Sequence, residues 1–153
     1  MSIEENIKSI GLTVPDVPRP AAAYIPALQS GDMVFTAGQV PLVNGELKYK
    51  GKLGADLTVD EGYAAAKYCA LNCLAAIKGL IGDLDRVEQV VKVVGYVASA
   101  AGFTDQPKVI NGASEFLVQV FGETGRHARV AVGVAELPLG AAVEVEMTVR
   151  LKA

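Results

Sequence analysis

The sequence predicts a single α+β domain in which two helices pack on one face of a mixed β-sheet. Strand-like and helix-like segments follow each other in the order two strands, helix, strand, helix, two strands. No internal repeat or low-complexity tract divides the chain. Its 153 residues suit one domain, and a domain of this size buries roughly 68–70% of its unfolded surface, which allows a substantial core.

The N-terminal segment, residues 1–21, is predicted to be an extended arm that precedes one domain over residues 22–153. Pro15, Pro18 and Pro20 are incompatible with a regular helix around them, because proline lacks the amide hydrogen and restricts the residue before it. We therefore expect an extended lead-in to the domain.

A hairpin and a further turn come next along the chain. The strand-like segments Ala23–Gln29 and Asp32–Ala37 are separated by Ser30-Gly31, and this arrangement predicts a hairpin. Asn44-Gly45 is a strong turn signal. A short additional strand is expected at Leu47–Leu53.

A long first helix is predicted from Thr58 to about Leu80. Thr58 and Glu61 have the spacing of a capping box, which satisfies the exposed N–H groups at a helix start. Gly82 lies where a left-handed residue would end the helix. Apolar residues recur with a period of 3.6 between these ends, so one face of the helix should be buried on the sheet.

The next two segments are a strand and a second helix. Val87–Ala98 is β-branched and apolar on both faces apart from one lysine, which predicts a central strand covered on both sides. Thr104–Pro107 opens the second helix, with proline near its first turn, and Gly122 marks its end.

The final third of the chain reads as two strands, His127–Ala135 and Ala142–Leu151, joined by a turn through Leu137–Gly140. The last strand alternates regularly between apolar and polar residues. Its acids Glu144 and Glu146 are two residues apart and therefore share a face.

The composition predicts a protein without a membrane span. The longest apolar stretch, Tyr63–Ile81, is interrupted by Lys67, Asn72 and Lys78. The N-terminus is acidic where a signal peptide would be basic, so we expect a cytoplasmic protein. Hydrophobic residues nevertheless make up 51% of the chain, which suggests apolar surface hidden against other subunits.

Charge and cysteine usage restrict the possible partners. Fourteen basic and seventeen acidic residues give a net charge of −3, which argues against a broad nucleic-acid surface. Cys69 and Cys73 lie among apolar residues of the first helix and are predicted to be buried thiols, not a disulfide or a metal pair. The sequence contains a single histidine and no His-rich metal spacing, so no metal site is predicted.

Arg129 is the best candidate for a functional residue. Alternation along the strand places His127, Arg129, Ala131 and Gly133 on one face, so the guanidinium has small neighbours with room beside it. Its planar fork of donors matches a carboxylate. The alternative is a structural ion pair with Glu144 or Glu146 across the sheet.

The other candidates have ordinary structural explanations. His127 stands at a strand start, where an exposed, non-catalytic residue is expected. Glu144 and Glu146 could act on a water, but alternating acids are common on exposed strands. A Gly-rich phosphate loop and a G-x-S-x-G elbow are both missing.

Several motifs together resemble the YjgF/RidA family, also called L-PSP endoribonuclease-like. These are Gly38-Gln39-Val40-Pro41 after Phe35-Thr36-Ala37, then Ala128-Arg129-Val130-Ala131-Val132, Glu136-Leu137-Pro138 and Val143-Glu144-Val145-Glu146. The resemblance runs from about Ala22 to Leu151. It implies a chorismate-mutase-like α+β fold and a homotrimer whose sheets face inward as a barrel, with three clefts between subunits.

The resemblance also implies site residues. The arginine that matches Arg129 binds a substrate carboxylate in family members that deaminate enamines and imines, and the glutamate that matches Glu144 helps to place the attacking water. Tyr24, Gly38 and Asn111 match other positions that line the cleft, and backbone N–H groups near Gly38 and Ala131 could fix polar substrate atoms. No metal or organic cofactor is implied.

Three functions follow from these features. The first is hydrolysis of reactive imino acids, such as those from 2-aminoacrylate, to 2-keto acids and ammonia. The second is a non-catalytic module that binds a small carboxylate, and the third is an endoribonuclease and translation inhibitor, against which the negative charge counts. Val130-Ala131 stands where familiar deaminases often have Ser-Cys, a departure that could change the pocket and the substrate.

Overall fold

The computed structural model describes residues 1–17 and 22–153. Within them we number the helices and strands in chain order, leaving out three short 3₁₀ turns. The elements are α1 (Ile3–Ser9), β1 (Ala27–Ser30), β2 (Met33–Thr36), β3 (Leu42–Val43), β4 (Glu46–Leu47), α2 (Val59–Ile81), β5 (Val87–Ala98), α3 (Gln106–Phe121), β6 (Ala128–Val134) and β7 (Val143–Leu151).

Five strands form one mixed sheet in the order β1-β2-β7-β5-β6, and β3 and β4 form a separate small hairpin. Only the β5–β6 pair is parallel, while the other neighbours in the large sheet run antiparallel. The two last strands of the chain are therefore not neighbours, because β5 lies between them. β6 is one edge of the sheet and β1 is the other.

Helices α2 and α3 cover one face of this sheet and bury the core beneath them. The α+β class with a mixed sheet is confirmed. Apolar positions of β5 and β7 meet the two helices, and the largest fully buried side chains include Leu74, Ile77, Val93, Ile110 and Leu117. The sheet face that carries the helices is called the helix face below, and the opposite one the open face.

The predicted ends of α2 are confirmed in detail. The Thr58 hydroxyl accepts a hydrogen bond from the Glu61 amide, and the Glu61 carboxylate accepts one from the Thr58 amide. Gly82 ends the helix at φ 86°, in the left-handed region that glycine adopts without strain. By length and composition alone, α2 could cross a membrane. However, 67% of its apolar 18-residue stretch is buried inside the protein, as in a core helix.

The two cysteines are buried on α2, as predicted. Cys69 Sγ lies 3.5 Å from the Val143 carbonyl oxygen, and Cys73 Sγ lies 3.3 Å from that of Val145. Burial raises the pKa of the Cys73 thiol to about 12 and that of the Cys69 thiol well above its ordinary value. Both groups therefore remain protonated and act as core residues.

The prediction of an extended arm is wrong for the first residues, because Ile3–Ser9 form a helix. Ser2 and Glu5 make a reciprocal capping box at its start. Ile7 is fully buried, and Asn6 Nδ2 donates to the Val120 carbonyl at 2.8 Å, so α1 docks on α3. The prolines restrict the chain only around themselves, and residues 18–21 of the predicted arm lie outside the described residues.

Two strand predictions need correction. The strand expected at Leu47–Leu53 is limited to Glu46–Leu47, which pairs with β3 across the predicted turn, where Asn44 and Gly45 both have positive φ. β5 has the predicted bounds but is covered on one face only within the chain. Val93 and Val97 are fully buried under the helices, whereas Val94 and Tyr96 on the open face remain partly exposed.

Candidate functional site

Arg129 lies on the edge strand β6 and points to the helix face. It is in register with Val93 of β5, which in turn pairs with Met147 of β7. Both of these neighbours are buried beneath the helices. Because residues opposite each other in a sheet share a face, the guanidinium lies beside the N-terminal half of α3.

The guanidinium is held by neutral acceptors. Arg129 Nη1 donates to Asn111 Oδ1 at 2.8 Å and to Ser114 Oγ at 3.2 Å, and Nη2 makes a longer contact of 3.4 Å to the Pro107 carbonyl. In residues 1–17 and 22–153, no carboxylate oxygen lies within 4.0 Å of it. The alternative of a structural ion pair with Glu144 or Glu146 is therefore wrong.

The physical reason is the strand order. Glu144 and Glu146 alternate with the buried residues of β7 and thus point to the open face, and β5 separates β7 from β6. Arg129 points to the other face. The sequence pattern predicts the faces of each strand but not which strands are neighbours.

Two donors of Arg129 have no acceptor in the described part of the chain. A guanidinium carries five N–H groups, and the contacts to Asn111, Ser114 and Pro107 occupy three of them. The Nε–H and one Nη2–H remain. Nε and Nη2 share one edge of the planar group, and an N–H from each is the fork that binds both oxygens of a carboxylate.

Ser114 and His127 extend the contacts that hold Arg129. His127 Nδ1 is 2.7 Å from the Gly125 carbonyl, so this nitrogen carries the proton and donates. Nε2 is 2.8 Å from Ser114 Oγ and accepts the hydroxyl hydrogen, while the Ser114 oxygen accepts from Arg129. Burial lowers the pKa of His127, and the Arg129 charge lowers it further, which keeps the imidazole neutral.

The expectation of an exposed His127 is therefore wrong: the ring is half-buried and hydrogen-bonded at both nitrogens. The sequence analysis missed Ser114 as well. A signal was present for each, since Ser114 lies three residues after Asn111 on the same helix face and His127 lies two residues before Arg129 on the same strand face.

A groove of about 270 Å³ opens beside Arg129. It runs between α3 and the start of β6 and is lined by Asn111, Ser114, Val118, Arg126, His127 and Arg129. Arg126 is exposed, and its Nε donates to Glu123 Oε1 at 3.2 Å. The lining contains two guanidiniums and no carboxylate, so the groove favours anions.

Glu144 lies in a second cluster, on the open face. A Cβ atom at Gly38 would lie 2.7 Å from Glu144 Oε2, so the glycine leaves the space that this carboxylate occupies. Burial raises the pKa of Glu144, and the nearby charge of Glu146 adds to the shift. The Tyr96 hydroxyl donates to Glu146 Oε1 at 2.5 Å, and this contact raises the pKa of Tyr96 to about 12.

The predicted site residues thus fall into two groups within one chain. Asn111 and Ala131 accompany Arg129 on the helix face, and Ala131 packs against the edge of the core. Gly38 accompanies Glu144 on the open face. Tyr24 precedes β1 at the opposite edge of the sheet and is 57% exposed. The structure does not bring Arg129 and Glu144 together in one chain.

Over residues 1–17 and 22–153, no three His, Cys, Asp or Glu side chains lie close enough together to hold a metal ion. Arg129, Arg126 and Glu144 supply hydrogen bonding and charge to these two clusters.

Fold and site together define a small α+β protein with an arginine on a sheet edge that is held by neutral groups. Residues 4–151 match the model of a family described as "YjgF/chorismate mutase-like, putative endoribonuclease". The chain belongs to this family. The resemblance seen in the sequence motifs is thereby confirmed.

Individual relatives agree with this result. Protein TCP17 of Trypanosoma cruzi is 46% identical over 97% of this chain and 94% of its own length. The crystal structure of protein Atu1372 from Agrobacterium tumefaciens matches with a TM-score of 0.92 and 42% identity, over 98% of this chain and 92% of the other. A putative endoribonuclease from Shewanella oneidensis MR-1 matches with a TM-score of 0.95 and 35% identity, over 99% and 100%.

Proposed function

We propose that this protein holds a small organic acid by its carboxylate on Arg129 and hydrolyses reactive enamines or imines of that class to 2-keto acids and ammonia. One observation carries the proposal. Arg129 is fixed by neutral groups and keeps an Nε–H and an Nη2–H without an acceptor among the described residues. A carboxylate would supply both the missing acceptors and the missing counter-charge.

The preorganisation of Arg129 supports recognition by geometry. Asn111 and Ser114 fix Nη1, and His127 fixes the Ser114 hydroxyl. A guanidinium that is held before the ligand arrives loses little side-chain entropy on binding. It also orients the acid, and positioning can supply a large part of the rate enhancement for a substrate that is already electrophilic.

We further propose that Glu144 acts from a second copy of the chain. It lies on the open face of β7, whereas Arg129 lies on the helix face of β6 with β5 between them, so one chain supplies two half-sites. A homotrimer with clefts between subunits, as the family resemblance implies, would join them. The exposed Val130 and Val132 on the open face of β6 favour such association.

The proposed reaction needs water alone as co-substrate. Water adds to the imine carbon while one of its protons passes to the Glu144 carboxylate, which returns it to nitrogen to give a carbinolamine. Glu144 then takes the hydroxyl proton and delivers it to the amino nitrogen, so that the C–N bond breaks, ammonia leaves and the C=O bond forms. The raised pKa of Glu144 suits it to both accept and donate a proton.

The test follows ammonia release from freshly generated 2-imino acids. Arg129→Ala should lower kcat/KM by about 100-fold or more, because a bidentate contact to a charge is lost. Arg129→Lys keeps the charge without the fork and should recover only part of the rate. Arg150→Gln is the matched control. Arg150 is an exposed arginine on β7 that pairs with Glu88 of β5, so it lies on a different strand from Arg129. Equal rates for Arg129→Ala and wild type would remove Arg129 from the mechanism.

A carboxylate-binding module without catalysis is the second candidate. Two observations favour this candidate. The groups that hold Arg129 all come from the same chain, and the neighbouring Ala131 has no reactive side chain. In this case a keto acid would raise the melting temperature of the wild type but not of Arg129→Ala. No ammonia would be released by either protein.

The family description names a third candidate, an endoribonuclease. Arg126 and Arg129 could contact phosphates, but the net charge of −3 opposes RNA binding. Incubation with single-stranded RNA across a range of metals and salt decides this point. RNA that stays intact would discard the nuclease function.

A further inference from the structure

We propose that the groove between α3 and residues 126–129 binds a second acid group, so that the preferred ligand is a short 2-keto or 2-imino dicarboxylic acid. This inference rests on the proposed function, because it takes Arg129 as the anchor of the first carboxylate. Arg126 would bind the second one. The groove volume of about 270 Å³ lies near the lower end of small-molecule sites and favours a short diacid over a nucleotide.

The charge distribution along the groove is the first argument. Two of its six lining residues are arginines, and none is an acid. Arg129 is surrounded by neutral acceptors. A single carboxylate would compensate one guanidinium only, whereas a diacid compensates both.

His127 does not supply the second positive charge. Its Nδ1 hydrogen is given to the Gly125 carbonyl, and its Nε2 accepts from Ser114. The ring therefore acts as a neutral support for Ser114 and, through it, for Arg129. The cationic donors left in the groove belong to Arg126 and Arg129.

Arg126 is available for a ligand. Its contact with Glu123 spans three residues along the chain, and the two side chains are 69% and 88% exposed. An exposed ion pair of this kind is worth little and exchanges readily. Glu115, which borders a neighbouring groove with Arg126, accepts a hydrogen bond from the Tyr63 hydroxyl and is thereby held on α3.

The spacing of the two arginines sets the length of the ligand. Three residues of extended chain span at most about 10–11 Å, and both side chains line the same groove. A ligand that bridges the two guanidiniums is therefore short, and a four- or five-carbon diacid is the size that we infer. Val118 provides the apolar contact for the carbons between them.

The test compares two ligands that differ only in the second carboxylate, 2-oxoglutarate and 2-oxopentanoate, by isothermal titration calorimetry on the full chain. Wild type should bind 2-oxoglutarate at least about tenfold more tightly, as expected for one more charged contact. Arg126→Gln should abolish this preference and leave 2-oxopentanoate binding unchanged. Arg150→Gln, the control for loss of one exposed arginine, should keep the preference.

A second variant tests the inference from the opposite direction. Glu123→Gln removes the acid that competes for Arg126, so it should tighten binding of 2-oxoglutarate by a few-fold and leave 2-oxopentanoate unaffected. Circular dichroism checks that each variant is folded.

Three results would overturn the inference: equal affinity of the wild type for both ligands, a preference that survives in Arg126→Gln, or no gain in Glu123→Gln. Failure of the proposed function looks different. If the wild type binds both ligands equally and Arg129→Ala binds neither, the anchor stands and the second site falls. If the wild type binds neither ligand, the inference and the proposed function fall together.

Discussion

At the scale of single residues, the proposed role of Glu144 conflicts with its contribution to stability. It is half-buried against Gly38 and close to Glu146, and both burial and the neighbouring charge raise its pKa. A raised pKa in the folded state means that the protonated form stabilises the fold. That stabilisation is present at low pH and is lost as the pH rises through the folded-state pKa.

Glu144→Gln should therefore raise the melting temperature at about pH 8 and leave it nearly unchanged at about pH 4, because glutamine resembles the protonated acid. The same change should lower the proposed deaminase rate. Differential scanning fluorimetry across this pH range measures the effect, with Glu46→Gln on the exposed strand β4 as control. A lower melting temperature for Glu144→Gln at high pH would contradict the assignment.

Single residues were also where the sequence was most informative about function. Period-two alternation placed Arg129 beside the small Ala131 and Gly133, but the space over Gly133 is taken by Gln106 and Ser99. The groove beside the guanidinium opens on the other side, towards α3 and His127. Ser114 and His127 were missed because their role arises only when α3 packs beside β6, which brings residues 13 positions apart within 2.8 Å. Alternation within one strand contains no information on that contact.

At the scale of elements, the crossing of α2 and α3 positions the site. Gly112 of α3 lies directly on the backbone of α2, where an added Cβ atom would approach the Tyr63 carbonyl oxygen to 2.0 Å. Its neighbours on α3 include Asn111 and Ser114, which hold Arg129. The close approach of the two helices therefore also fixes the distance between α3 and β6.

Gly112→Ala should destabilise the fold by about 1–3 kcal/mol or more, because a rigid backbone atom must move. Gly79→Ala is the matched control within α2. There the added Cβ meets only the Val17 side chain, which can shift, and alanine favours a helix by about 0.5–1 kcal/mol over glycine. Urea unfolding gives both values, and equal stability of the two variants would contradict the proposed rigidity of the crossing.

The sequence predicted some elements correctly and others not, for identifiable reasons. The Thr58 capping box and Gly82 correctly predicted both ends of α2. Ser2 and Glu5 have the same spacing and begin α1, but the nearby prolines led to the wrong prediction of an extended arm. Strand order was not predictable, because a parallel neighbour such as β6 joins β5 through a helix and leaves no turn signal.

At the scale of the whole molecule, the open face of the sheet carries exposed apolar side chains. Leu28, Phe35, Val130 and Val132 on this sheet are between 39% and 56% exposed. Apolar side chains grouped in this way favour association with another protein surface. We expect the partner to be a second copy of the chain, which is the arrangement that the two half-sites of the proposed function require.

Val132→Lys should thus convert the protein to smaller particles and abolish ammonia release, since it places a charge on the open face. Leu139→Lys is the control, because Leu139 is 75% exposed on a turn outside the sheet. Multi-angle light scattering reports the mass of each variant. A stable monomer for the wild type, or an unchanged mass for Val132→Lys, would contradict the proposed intersubunit cleft.

β6 is an edge strand of the sheet, and this position limits which substitutions the protein can accept. Its seven residues direct Arg129 towards the helices and three valines towards the opposite side, and they form an outer backbone edge without a strand partner among the described residues. Mutational tolerance should consequently be lowest in this short segment, and a change in the proposed ligand preference is more easily reached through Arg126 or Ser114, which lie outside it.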